Sequence, residues 1–304
     1  MPTPQQMAGV FERLRAAVFQ EGTRPTPDNA TRHAANQATF KSELQELCDR
    51  SHLRPDMAAG ELWYEIWTKI RYAGFRAEYV TNVDIPNLTP FLKDFRALAG
   101  PDWRFDPERA RQGKAVREFL IGGGRFAGVS YNKNERKLRT MLRVAATFQA
   151  FPPRIKPLMA LFGEGYDRGD DGALWQAHGR LEKLVGFTTA LHVLMDLGFN
   201  CVKPDIWLVR LMCLFGWIED ALPPDTPYEK IRRTYGTPRV ARSVIARARQ
   251  IASAIHPWNP DAPLREFDLV MVKYGQDPGE CGIERSLFNE WGGVERVREY
   301  PFAA

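Results

Sequence analysis

The sequence predicts an all-α fold. Apolar residues recur at the three- and four-residue spacing of helices through most of the chain, strand-like alternation bounded by turns is scarce, and Pro and Gly fall at the joins. With 304 residues, 44% of them hydrophobic, there is enough apolar material to bury a core in one large domain or two interlocked lobes.

Residues 21–36 are polar and turn-rich, and read as a surface loop or arm. Residues 61–73 then place Leu62, Ile66, Trp67, Ile70 and Ala73 on one helical stripe, with Gly74 as a left-handed stop. The three consecutive glycines within 121–134 have no strand before them and no Gly-Lys-Ser/Thr after them. They therefore match neither a dinucleotide-binding nor a P-loop fingerprint, and read as a close-approach loop. Residues 136–149 bury Leu138, Met141, Leu142, Ala145 and Phe148 and carry Arg136, Arg139 and Arg143 on another face. The Asp170-Asp171 pair reads as a turn. Further helices are expected at 174–184, 189–197, 205–215, 238–255 and 264–274. There is no internal repeat.

Charge is distributed unevenly. The formal net charge is +5, yet residues 111–160 hold eleven Lys/Arg against Glu118 and Glu135, and residues 230–250 hold seven against no acid. The remainder of the chain is therefore acidic. One basic run is easily a solvated helix face, but two in an otherwise acidic chain point to a polyanion, because neutralising phosphates releases counterions. The four cysteines (Cys48, Cys201, Cys213, Cys281) show no metal-ligand spacing and no disulfide framework, so a reduced cytoplasmic protein without structural zinc is expected. The first residues lack the apolar stretch of a signal peptide, and no run is long and apolar enough for a membrane span.

The segment that carries chemistry is 174–217. Leu174, His178, Leu181 and Leu184 form a stripe that stops at Val185-Gly186-Phe187, and Thr188 and Thr189 can cap a second helix with Ala190, Val193, Leu194 and Leu197 inward and Gly198 as its stop. A short helix, a glycine hairpin and a second helix result. Such a hairpin aims backbone N–H groups outward at a helix N-terminus, ready for a phosphate oxygen. Pro204 is suited to the first position of a third helix, leaving Asp205 in its first turn. Alone, an acid there needs no explanation beyond the helix dipole. His178 and His192 have no partner at ligand spacing and read as packing, and Lys203, beside Asp205, as a solvated lysine.

These residues resemble a known family. Leu184-Val-Gly-Phe-Thr-Thr-Ala190 is similar to the hairpin of the helix-hairpin-helix DNA glycosylases, and Val202-Lys-Pro-Asp-Ile-Trp-Leu-Val-Arg210 to the segment that carries their catalytic aspartate, with Arg210 at the position of the family arginine. Weaker similarity extends the match to about residues 57–275. Three departures stand out: Lys183-Leu184 replaces the first glycine-proline pair of the hairpin, Thr188 occupies the position of the lysine nucleophile of bifunctional members, and only Cys281 lies where some members bind an iron–sulfur cluster.

The resemblance implies two helical lobes with an active-site cleft between them. Residues 57–200 would form a helical barrel containing the hairpin at 174–198, residues 201–304 a lobe with the catalytic aspartate, and residues 1–56 a helical segment packed on that lobe. It further implies a monomeric, monofunctional hydrolase that flips a base from double-stranded DNA and leaves an abasic site, with Asp205 catalytic. Lys183, Gly186, Phe187, Thr188, Thr189 and Arg210 would bind DNA, joined by Arg136, Arg139 and Arg143, with no redox cofactor but with a monovalent cation at the hairpin. Phe75 and Arg76 fall in the wedge loop, and Trp63, Tyr64 and Trp67 either line the base pocket or pack in the core. The base remains open: a damaged or alkylated base in repair, or a bulky modified base such as the glucosylated cytosine of phage DNA in antiviral defence. A DNA-binding protein that keeps the hairpin without catalysis is the alternative. A zinc deaminase is not supported, since its His-x-Glu and Pro-Cys-x-x-Cys signatures are missing.

Overall fold

A computed structural model describes residues 2–21, 42, 44–46, 49, 56–72, 95–98, 140–141, 143–163, 170–218 and 237–275. Among these residues every regular element is a helix and none is a strand. The helices are α1 (Pro4–Glu21), α2 (Ala59–Tyr72), α3 (Phe95–Leu98), α4 (143–149) and α5 (Pro157–Phe162). They continue with α6 (Asp171–Val185), α7 (Phe187–Asp196), α8 (Ile206–Leu214), α9 (Pro238–Ala252) and α10 (Pro263–Gly275). The chain forms two compact units, one of Leu53–Phe199 and one of Met1–His52 with Asn200–Ala304. None of the described helices is long and apolar enough to cross a membrane.

In the unit Leu53–Phe199, α2 starts where the Glu61 carboxylate accepts the Ala58 N–H at 2.9 Å, which satisfies one of the donors that a helix start leaves open. Its apolar stripe buries Leu62, Trp63, Ile66, Trp67 and Ile70. Trp63 meets Phe148 of α4 edge-on at 6.0 Å and Phe95 of α3 at 6.4 Å, so an aromatic cluster joins three helices. Helix α7 packs between α2 and α6, and α5 packs on both α2 and α6. A nearly dry ion pair, Lys69 to Asp196, ties α2 to the last turn of α7.

The other unit is built on α1, α9 and α10, each packed against the other two, with α8 against α10. Phe11 stacks on Phe267 at 5.3 Å. Beside this contact the buried Glu266 receives Arg15 at 2.6 Å and the Trp258 N–H at 2.7 Å, so both carboxylate oxygens are satisfied. The same guanidinium donates to the His256 carbonyl at 2.9 Å, pairs with Glu12 and lies 4.8 Å from the Trp258 ring centre. Helix α9 opens with Thr237 as its cap and Pro238 in its first turn, buries Val240, Val244, Ile245, Ala248 and Ile251, and exposes Arg239 and Arg242.

Candidate functional site

The hairpin lies wholly in the unit Leu53–Phe199. Helix α6 begins three residues earlier than the expected 174 because Asp170, read from sequence as part of a turn, is its N-cap and accepts the Ala173 N–H at 2.7 Å. Between α6 and α7 stands Gly186 alone, with φ 91° and ψ 162°, a conformation essentially confined to glycine. The expected caps Thr188 and Thr189 are already inside α7. Gly186 occupies the cap position and Phe187 the first helical one, because the positive-φ residue turns the chain before either hydroxyl can act. Gly198 ends α7 as expected: at φ 80° it donates to Met195 O at 3.0 Å while the Phe199 N–H reaches Leu194 O at 3.0 Å, the paired bonds of a Schellman stop.

Two side chains hold this hairpin in place. Arg143 of α4 is exposed, and its guanidinium donates to the carbonyl of Leu184. His178, buried two turns before the end of α6, donates from Nε2 to the Phe187 carbonyl at 3.1 Å and packs its ring against Phe187 at 4.6 Å and Trp175 at 5.4 Å. Burial lowers the His178 pKa below the 6.5 of free imidazole, against smaller raising effects from the Phe187 hydrogen bond and the Glu182 charge. His178 is therefore packed, as expected from sequence, and also tethers the turn. The Leu184 and Phe187 carbonyls on either side of Gly186 thus accept from a guanidinium and an imidazole.

Lys183 and Gly186 are exposed, while Phe187, Thr188 and Thr189 are half-buried. Trp63 and Trp67 lie in the core, and Tyr64 is 41% exposed with its ring 5.7 Å from that of Trp67. Phe75, Arg76, Arg136 and Arg139 lie outside the described residues, as does the side chain of Arg210 on α8. Cys48 and Cys281 are likewise outside, while Cys201 is buried and Cys213 half-buried. Among the described residues no three His, Cys, Asp or Glu side chains gather in a way that could hold a metal ion.

Asp205 belongs to the other unit. It is not in the first turn of α8 but is its N-cap, with Pro204 outside the helix. One carboxylate oxygen, Oδ1, accepts the N–H groups of Trp207 and Leu208, each at 3.0 Å. These two bonds and the helix dipole explain why an acid caps α8 where sequence favoured proline at its first position. The second oxygen, Oδ2, lies 2.9 Å from the Lys203 ammonium, so Lys203 is a partner of Asp205 and not a solvated lysine. The segment bearing Asp205 is fastened at both ends from α9. Arg249 donates through Nε at 2.9 Å and a terminal nitrogen at 2.5 Å to the Asn200 carbonyl, and Arg247 donates through Nε at 3.0 Å to the Trp217 carbonyl.

No protein family, curated protein or solved structure matches the chain. The site therefore rests on its own chemistry. Sequence reading overlooked His178 and Arg143 as tethers and Arg249 as a clamp. The available signal was arginine in a helix, 238–252, with no acid to pair with, which leaves carbonyl oxygens as natural acceptors.

Proposed function

We propose that the chain is a monofunctional DNA glycosylase of helix-hairpin-helix type. The observation that carries this reading is one of order. A helical hairpin turned at a positive-φ glycine is followed by a carboxylate that caps the next helix, in the register of the resemblance. The hairpin N–H groups bind a DNA phosphate, with Lys183 assisting, and Asp205 serves the sugar of a base flipped from the duplex.

In the reaction the N-glycosidic bond breaks, the base leaves with the bonding electrons and takes up a proton, and a water oxygen bonds to C1′. The sugar passes through a positively charged oxocarbenium-like state that a neighbouring carboxylate stabilises. With Oδ1 anchored to the helix, Oδ2 is the oxygen that orients the water, and Lys203 holds that oxygen in its rotamer. Thr188 in place of an amine leaves the abasic sugar without a Schiff-base nucleophile at that position, so the strand stays intact. Damaged bases and bulky modified pyrimidines are both compatible with this chemistry.

A DNA-binding protein without catalysis is a second reading, and one observation favours it: both oxygens of Asp205 already have protein partners, as in a purely structural cap. Incubating the protein with duplexes bearing alkylated, oxidised and glucosylated bases, then measuring released bases by mass spectrometry, separates the two. A released base is expected. Tight duplex binding with no base released from any substrate would establish the binding protein instead.

A further inference from the structure

Residues 152–156, Pro-Pro-Arg-Ile-Lys, join α4 to α5 in the unit Leu53–Phe199. The Ile155 N–H bonds to the Pro152 carbonyl at 3.0 Å and closes a tight turn, and Pro152, Pro153 and Pro157 restrain the backbone on both sides. Ile155, the residue that closes this turn, is 44% exposed, more than any other large apolar side chain among the described residues. Arg154 and Lys156 flank it, both exposed, and among the described residues neither side chain has a hydrogen bond or ion pair. From 136 to 163 the sequence carries six Lys/Arg and no acid. A rigid turn thus presents an apolar point between two uncommitted cations, in a stretch with nothing negative to hold them.

We propose that the turn 152–156 is a contact element for duplex DNA, with Arg154 and Lys156 on backbone phosphates and Ile155 pressed against the bases between them. This rests on the reading of the chain as a DNA-binding enzyme and adds a second contact apart from the hairpin. Charge complementarity selects a polyanion, and an exposed apolar side chain beside the cations selects the duplex, since apolar wedges lodge between its base steps. The restrained backbone loses little freedom on binding. Tyr64 and Trp258, the other exposed large apolar residues among the described ones, have no such paired setting: Tyr64 lies against Trp67, and Trp258 is covered on one face by Arg15.

The test uses the full chain, a short fluorescein-labelled duplex read by anisotropy across a salt series, and the same duplex with 2-aminopurine beside a mismatch to report unstacking. The exposed sites allow Arg154→Gln/Lys156→Gln and Ile155→Ser to fold, which the unchanged melting temperature verifies. The double variant is expected to flatten the plot of log affinity against log salt by about two phosphate contacts. Ile155→Ser is expected to keep the wild-type slope, lose roughly tenfold in affinity and blunt the 2-aminopurine signal. Wild-type slope in the double variant, or wild-type affinity and unstacking in Ile155→Ser, would overturn the proposal while leaving the glycosylase reading standing. Loss of binding to anionic vesicles with duplex binding intact would overturn it in favour of a lipid surface. A wild-type chain that binds no duplex would remove both readings.

Discussion

Asp205 and His178 act on main-chain atoms, and each shows how one polar side chain fixes a local geometry. His178 carries a pH dependence with a definite sign. Burial depresses its folded-state pKa below 6.5, so near that pH the unfolded chain binds a proton that the folded chain excludes. The corresponding stability is complete above 6.5 and is lost as pH falls from there through the folded pKa. Urea unfolding between about pH 8 and about pH 5 is expected to show this decline, and His178→Gln, which keeps an N–H for the Phe187 carbonyl, is expected to remove that part of the slope. An unchanged pH profile in the variant would show that His178 does not titrate with folding. Sequence read His178 as packing from its place on an apolar stripe. Its bond to Phe187 was not legible, because that bond exists only once Gly186 has reversed the chain.

At the level of elements, Gly186 makes the clearest prediction. An added Cβ would meet nothing within 4 Å, so the penalty of Gly186→Ala is backbone strain alone. With φ 91° and ψ 162° it is expected to cost about 1–3 kcal/mol in denaturant unfolding, and to weaken DNA binding because the α7 N–H groups are turned away. The same stability with full affinity would mean the hairpin is not the anchor. Many helix positions were legible: stripes at 61–73, 174–184, 189–197, 205–215 and 264–274 correspond to α2, α6, α7, α8 and α10, whereas α3 and α5 had no stripe assigned from sequence. Starts were less so, since periodicity reports buried faces and caps lie outside them. Asp170 extended α6, Gly186 displaced the threonines, and Asp205, expected in the first turn of α8 behind Pro204 at its first position, is instead the cap with Pro204 outside the helix.

At the largest scale, the helical character of the described residues followed from apolar spacing, but the ties that assemble a unit did not. Arg15 and Glu266 are 251 residues apart, and no pattern in either helix names the other. Glu266 is fully buried and satisfies Arg15 and the Trp258 N–H together, so Glu266→Ala removes the buried partner of Arg15, leaving it the part-exposed Glu12, and strips the Trp258 N–H of its acceptor inside the unit Met1–His52 with Asn200–Ala304. A loss of about 3–5 kcal/mol is expected by denaturant unfolding. A change within about 0.5 kcal/mol would show that Arg15 finds another partner. The Lys203 pair with Asp205 is likewise a property of the folded loop, where Arg249 holds its start and α8 its end.

The most direct measurement is single-turnover base release by Asp205→Asn, on the duplex whose base the wild-type chain excises. Asparagine still caps α8 through its side-chain oxygen, so stability and DNA affinity should stay near wild type while the carboxylate charge is lost. Excision slower by at least about 100-fold is the expected result. Excision at the wild-type rate would contradict the assignment and leave Asp205 as a helix cap.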